Sequence, residues 1–494
     1  MLKSIKICEN LRGFLEDNDE FKISFSDVHT FPYRQLCQFY CLFENPNNAL
    51  YVLELGRARA LADLMAAQYS VESQMSTDPQ SWFGVENIMK KERNCTCLYI
   101  SYYNQHVSLW VVTTSGVIYF RRQEVNEMEI DPRLICNLDD FFSSSFCSFG
   151  ILPEERCEDR SLNGMVNLDL RLVEEDDEDN EVPKLSLPLV YKMLIAPVND
   201  LIEEPEIIVV PERSLYQVPF AALSDEGGKY LSEKFRIRIF PSLTTLKLIQ
   251  DSPADYHRQT GALVVGDPQV GRVIYKGPRS DSIRPLPCAR REAEMIGRLL
   301  GVQPLLGEHA PKHAVLEMIH SVSLIHFAAH GNAERGEIAL APLCSTDRIP
   351  QEEEYLLTMS DISKVQLRAK LVVLSCCHSG GGQIRAEGVV GIARAFLGSG
   401  ARSVLVALWA IEDKATEQLM GRFYEHPLHG ESASESLHEA MKWMRGNGFV
   451  KVSDWAPFVL IGDDVTFDFR DKGKFYLEKN VLLNRDMKVI PWPS

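Results

Sequence analysis

No apolar run in this chain approaches the roughly 20 residues that a membrane-spanning helix needs. The longest, SVLVALWAI at 403–411, has the length of a buried strand. The opening stretch, MLKSIKICENLRGFLEDNDEF, lacks the apolar centre of a signal peptide, so no secretory leader is expected. Positive charge is also scarce. Lys and Arg number 52 against 69 Asp and Glu, a formal net charge of −17, which argues against a general nucleic-acid or anionic-membrane surface. The 12 cysteines have no regular spacing, so no disulfide framework is expected. Cys37 and Cys41 lie inside the apolar run LCQFYCLF and read as buried thiols, while Cys95-Thr96-Cys97 is too tightly spaced for the usual zinc or redox pairs. This usage points to a reducing, cytoplasmic compartment, with the nucleus as the alternative. There is no phosphate-binding loop, because GDPQVG lacks the Gly-Lys-Ser ending. A serine nucleophile elbow fails as well: Ser379 would need Gly at position 377, where Cys stands.

What is present is a long chain of 494 residues, 45% hydrophobic, enough for more than one domain. Its first segment has a helical period. NPNNALYVLELGRARALADLMAAQYS (45–70) predicts one long helix after an Asn/Pro cap, forming a hairpin with a shorter helix around 34–43. From about Cys95 the pattern becomes strand-like in CTCLYISYY, HVSLWVVTTSGVIYF and EIIVVPE. The acidic run VEEDDEDNEVP (173–183) predicts a solvated, mobile loop, and QDSPADYHRQTG marks a boundary near residue 255. Beyond it apolar strands alternate with amphipathic helices: GALVVGDP, CARREAEMIGRLL, SLIHFAAHG, LVVLSCC, EGVVGIARAFLGSG, SVLVALWAI, two further helices and PFVLIGD. That order predicts an α/β fold with a parallel sheet covered on both faces, its chemistry at the carboxyl ends of the strands.

Two strands end in reactive residues, SLIHFAAHG at His330 and LVVLSCC at Cys376 and Cys377. A thiol attacks well only as thiolate and needs a base beside it, which His330 supplies from a neighbouring strand end. Gly331 leaves a backbone N–H for a developing oxyanion, as does the N–H of the nucleophile. Gly380, Gly381 and Gly382 are read as admitting a substrate backbone. His326 and His330 stand four apart, but on a strand that spacing makes no metal pair, and no third ligand stands out. No metal is expected, and His326 reads as a core histidine. Spacing alone leaves the choice between the two thiols open.

HFAAHG, LVVLSCCHSGGG, EGVVGIARAFLGSGARSVLVALWAIEDKAT and WAPFVLIGD together resemble the CHAT domain, a caspase-like cysteine peptidase family related to separase and the caspases and often found behind tetratricopeptide repeats. Upstream blocks such as IIVVPERSLYQVPFAAL extend the resemblance over most of residues 48–465. Where the family reads Ser-Ala-Cys-Glu-Thr-Gly, this chain reads Ser375-Cys376-Cys377-His378-Ser379-Gly380. The resemblance therefore implies Cys377 as nucleophile and His330 as its catalytic histidine, with the N–H groups of Gly331 and Cys377 forming the oxyanion hole. His378 and Ser379 depart from the family's Glu and Thr.

The implied fold is a caspase-like three-layer α/β sandwich with a mainly parallel sheet. Its expected parts are a helical segment at 1–75 resembling the end of a tetratricopeptide array, a non-catalytic caspase-like half at 93–255, the catalytic CHAT domain at 256–466 and a C-terminal extension at 467–494. WAIED resembles the separase segment lining a pocket for a basic side chain on the acyl side of the scissile bond (P1), which implicates Trp409, Glu412 and Asp413; a helix cap is the competing role for Asp413. The implied activity is a cysteine endopeptidase working through an acyl-thioester. It calls for no cofactor, and its expected partners are a protein substrate and a repeat segment or regulatory protein. The alternative is a catalytically silent scaffold or interaction module. The start in mid-hairpin suggests a piece of a larger repeat protein.

Overall fold

The computed structural model describes residues 1–15, 18–71, 84–125, 138–145, 158, 160–162, 187–277, 280–332, 334–343, 348–376, 379–385 and 388–468. The acidic run 173–183, Cys377 and His378 lie outside the described residues.

Eleven strands form the main sheet: β1 (Cys95–Tyr103), β2 (His106–Thr113), β3 (Ile118–Glu124), β4 (Glu206–Val210), β5 (Arg236–Ile239), β6 (Ala262–Pro268), β7 (Leu305–Gly307), β8 (Leu324–Ala328), β9 (Leu371–Leu374), β10 (Ser403–Ala407) and β11 (Phe458–Gly462). Their order is β3-β2-β1-β4-β5-β11-β10-β9-β8-β6-β7. Pairing is antiparallel at β1–β2, β2–β3 and β10–β11 and parallel elsewhere.

Successive strand side chains point to opposite faces, and both faces of the central strands of this sheet are buried. On β9, Leu371 and Val373 pack with the helices Asp413–Leu428 and Ala433–Gly446, while Val372 and Leu374 pack on the other side with the helices Arg59–Tyr69 and Ile392–Gly398. Such strands must be apolar at every position, which is why they read as continuous runs rather than alternating ones. Each fully buried Leu, Ile or Val contributes about 1.5–3 kcal/mol.

The single N-terminal helix expected over 45–70 is two, Pro46–Leu55 and Arg59–Tyr69. Ala58 between them adopts a left-handed φ of 49°. The break turns Arg57 inward, 6% exposed, where its guanidinium donates to the Ile100 and Val210 carbonyls at 3.3 Å and lies over the Tyr99 ring. Helical periodicity carries no sign of this long-range demand. The expected helix in EGVVGIARAFLGSG is shorter for a similar reason. Gly388–Val390 pairs with Gln383–Arg385 as a hairpin, and the helix begins only at Ile392.

The two sides of the sheet meet at β5–β11, where the register contains one pair, Ile461 with Ile239. Buried Arg238 spans this seam. It bonds Glu206 on β4 at 2.7 Å, Glu92 at 3.3 Å and, across the seam, Asp463 just after β11 at 3.4 Å. Burial alone would raise the Asp463 pKa, but the charges of Arg402 and Arg238 outweigh it and hold it low.

Candidate active site

β6, β8, β9 and β10 are neighbours, and their carboxyl ends share one edge of the sheet. His330 follows β8 and is 6% exposed. Its Nε2 lies 2.8 Å from the Arg284 carbonyl oxygen. A carbonyl only accepts, so Nε2 carries a proton, and in the neutral ring the lone pair is then on Nδ1. The loop bearing Arg284 is tied to the end of β6, because Asp267 accepts the Leu286 N–H at 2.6 Å and the Arg290 Nε at 3.1 Å. The imidazole orientation is thus set by the backbone of a loop that Asp267 anchors.

Ser375 continues the line of β9, donating its N–H to the Phe327 carbonyl at 2.8 Å. Cys376, 3% exposed, turns its Sγ to the same carbonyl at 3.9 Å and packs in the core with Leu374. Beyond Cys377 and His378, Ser379 Oγ donates to the Leu374 carbonyl at 2.7 Å and accepts the Ala407 N–H at 2.9 Å. Gly380 then donates to the Ala407 carbonyl at 2.8 Å. The loop is therefore pinned to both flanking strand ends. A Cβ on Gly380 would meet Val406 at 2.9 Å, and one on Gly382, at a φ of 155°, the Val390 carbonyl at 2.5 Å. The close approach expected of a substrate backbone at these two glycines is made by the chain itself.

A short upstream segment crosses this edge. Gly331 donates its N–H to the Arg160 carbonyl at 2.8 Å, and Leu162 returns an N–H to the Gly331 carbonyl at 2.9 Å. The Arg160 side chain is buried. Its Nη1 lies 2.9 Å from Glu292 Oε2, 2.8 Å from the Ser375 carbonyl and 2.9 Å from Ser375 Oγ. Glu292, on the helix Pro287–Leu300 and 1% exposed, also has Oε1 3.2 Å from His326 Nε2, a contact without hydrogen-bond alignment. His326 Nδ1 lies 3.0 Å from the Tyr424 hydroxyl, so this histidine is a partnered core residue.

Burial would raise the Glu292 pKa, but the Arg160 charge, the His326 contact and Ser375 bring it down to about 2. A depressed carboxylate stabilises the fold fully above its unfolded value near 4.5, and that contribution fades as pH falls toward 2. The difference corresponds to about 3 kcal/mol. Acid unfolding followed by circular dichroism should therefore lose stability more steeply between pH 4.5 and 2 in the wild type than in Glu292→Gln.

Of the remaining sequence-predicted residues, Trp409 is 2% exposed and donates its indole N–H to the Ser453 carbonyl at 3.0 Å within the core. Glu412 precedes the helix Asp413–Leu428 and accepts the Thr416 N–H on its backbone carbonyl. Asp413 accepts the Glu158 backbone N–H on both carboxylate oxygens, at 3.2 and 3.1 Å. Glu158 in turn caps the helix Pro287–Leu300 through the Cys288 and Ala289 N–H groups. Glu158, Cys288 and Asp413 have ligand atoms within 4.8 Å of one another, the one such group among the described residues. Both carboxylates already serve backbone N–H groups, and burial with the adjoining acids pushes the Cys288 thiol up to about 12. The cluster is a structural clasp on this segment.

The geometry thus assembles His330, Gly331 and Asp413 around residues 158 and 160–162, with Trp409 in the packing behind. Arg160, Glu292 and Ser375 were not singled out from sequence. Ser375 had one signal, its place two residues before Cys377; the other two had none.

A mainly parallel sheet with helices on both faces and a His-Gly pair after one strand defines the class, a caspase-like α/β protein. The chain belongs to the CHAT domain family, which matches residues 185–463. It is 25% identical to tetratricopeptide repeat protein 28 of Mus musculus and equally so to that of Homo sapiens, over 94% of this chain in each case. It covers 24% and 23% of those proteins, so it spans about a quarter of the length of the curated relatives it matches. Among solved structures, a chain of the Saccharomyces cerevisiae separase–securin complex superposes with a TM-score of 0.50 at 12% identity, covering 91% of this chain and 38% of that one. Among the described residues no helix is long and apolar enough to cross a membrane.

Proposed function

We propose that the chain is a cysteine endopeptidase. The Cys377 thiolate attacks a peptide carbonyl, and His330 takes the thiol proton on Nδ1 and returns it to the leaving amine. The Gly331 and Cys377 N–H groups hold the oxyanion, and no cofactor enters. The observation that carries this reading is that the Gly331 N–H already holds a peptide carbonyl, beside an imidazole whose tautomer leaves Nδ1 basic. Two further features support Cys377. Leu324 pairs with Leu371 and Phe327 with Leu374, and the same offset relates His330 to Cys377. Cys376 belongs to the face that packs in the core with Leu374, whereas Ser375 faces Arg160 and Glu292. A peptidyl-arginine electrophile that alkylates thiols should label the wild type and not Cys377→Ala. The second reading, an interaction module without turnover, is favoured by the occupied groove, and that labelling excludes it.

The carboxylate against Arg160 is Glu292, so P1 is read as basic with Glu292 as its counter-charge and Asp413 as a backbone anchor two residues upstream. Removing one partner of a buried ion pair costs about 3–5 kcal/mol, or roughly two to four orders of magnitude. Glu292→Gln should lose that much in kcat/KM for P1-Arg substrates, while Asp413→Asn raises KM and leaves P1 preference unchanged. A P1 library in which Asp413→Asn alone abolishes the Arg preference would reverse these roles. The likeness to repeat proteins and to separase from a securin complex supports a protein substrate and a protein regulator as partners. The thiol usage supports the cytoplasm as compartment.

A further inference from the structure

Residues 158 and 160–162 make no sense as ordinary packing. The stretch ERCEDRS (155–161) has no apolar period, yet Arg160 is 5% exposed. Burying a guanidinium costs several kcal/mol unless an ion pair and hydrogen bonds compensate it. Here the compensation is local: Glu292, the Ser375 carbonyl and the Ser375 hydroxyl all face Nη1. The backbone is held as specifically. The Arg160 carbonyl takes the Gly331 N–H, the Leu162 N–H takes the Gly331 carbonyl, and the Glu158 N–H takes Asp413. The peptide unit joining Arg160 to Ser161 lies between the two Gly331 hydrogen bonds.

We propose that the bond between Arg160 and Ser161 is this protein's own substrate, an arginyl peptide seated in its active site and cut within the same molecule. The inference rests on the peptidase reading above and adds to it the substrate. The Cys377 sulfur would add to the Arg160 carbonyl carbon while Gly331 holds the oxygen. The bond to the Ser161 nitrogen then breaks, His330 delivers its proton to that nitrogen, and the product is a Ser161 amine with Arg160 as an acyl-thioester. Water attacks the thioester, giving the Arg160 carboxylate and restoring the thiol. The pieces, 1–160 and 161–494, would remain together, because β1 pairs with β4 through five register positions across the cut. Until the Arg160 end leaves the groove, it excludes other substrates.

The test uses the purified full chain with intact mass, amino-terminal sequencing and thiol labelling by the peptidyl-arginine electrophile. The wild type should yield a fragment ending at Arg160 and one beginning at Ser161, separated by denaturing but not native electrophoresis, with a rate unchanged on dilution. Cys377→Ala should stay whole. Arg160→Ala should stay whole and label at least about tenfold faster, its groove no longer occupied most of the time. Should loss of the Glu292 partner unfold that variant, Ser161→Pro, which keeps the ion pair and makes the scissile amide tertiary, should also stay whole. A wild type that labels but is never cut at this bond, or a rate that rises with concentration, overturns cleavage in cis and leaves the peptidase reading standing. No labelling in any folded variant overturns both.

Discussion

Cys377→Ala should retain no measurable hydrolysis of a fluorogenic arginyl peptide, while Cys376→Ala keeps most of the wild-type rate. Adjacent residues leaving a strand point to opposite sides, and Cys376 is committed to the core, with its Cβ close behind Gly331 and its sulfur toward the Phe327 carbonyl. Trimming it to Ala removes one buried sulfur, a cost of about 1 kcal/mol in stability that leaves the His330 tautomer and the Gly331 N–H in place. On the proposed mechanism, loss of the thiol at 377 removes the bond-forming atom itself, and no hydrogen bond elsewhere can replace it. The comparison needs a melting temperature for each variant. Equal loss of turnover in both, with both folded, would refute the assignment.

The second large effect is at the two histidines. His330→Ala should lower turnover by roughly two to four orders of magnitude, the usual worth of a positioned general base, with little change in melting temperature. His326→Ala should do the reverse. Its ring fills a site between Glu292 and the Tyr424 hydroxyl, and removing it leaves two buried polar groups short of a partner, each costing about 1–3 kcal/mol. Thermal unfolding and steady-state kinetics on the pair separate the roles. A His326 variant that is inactive at an unchanged melting temperature would contradict them.

The strands were legible because both faces of the sheet are covered. LVVL and SVLVA are apolar at every position, and such runs stay conspicuous in any context. His330 stood out because a charged-capable ring at the end of an apolar run has few structural uses. Arg160 and Glu292 were invisible for the opposite reason. Arg160 sits in a polar stretch without periodicity. Glu292 shares its helix, CARREAEMIGRLL, with three arginines and a second glutamate, any of which could have faced the site or the solvent. Only the tertiary path that brings residue 160 back across β8 singles them out. The break at Ala58 hid in the same way, since Arg57 leaves a good helical pattern to reach carbonyls on β1 and β4.

The single pair at β5–β11 bears on the mechanics of the whole sheet. A ladder with one rung resists shear poorly by itself, so the two plates of the sheet are joined by Arg238, clasped by carboxylates from both, and by the core packed across the seam. The chemistry at the ends of β6, β8, β9 and β10 belongs wholly to one plate, while β1 through β4 belong to the other. Tension on the far plate therefore reaches the groove through that arginine and through the shared core, in which the helix Arg59–Tyr69 packs with residues of both β1 and β9. The proposed cut between Arg160 and Ser161 would remove only the covalent path, leaving this packing to couple the amino-terminal helices to the groove.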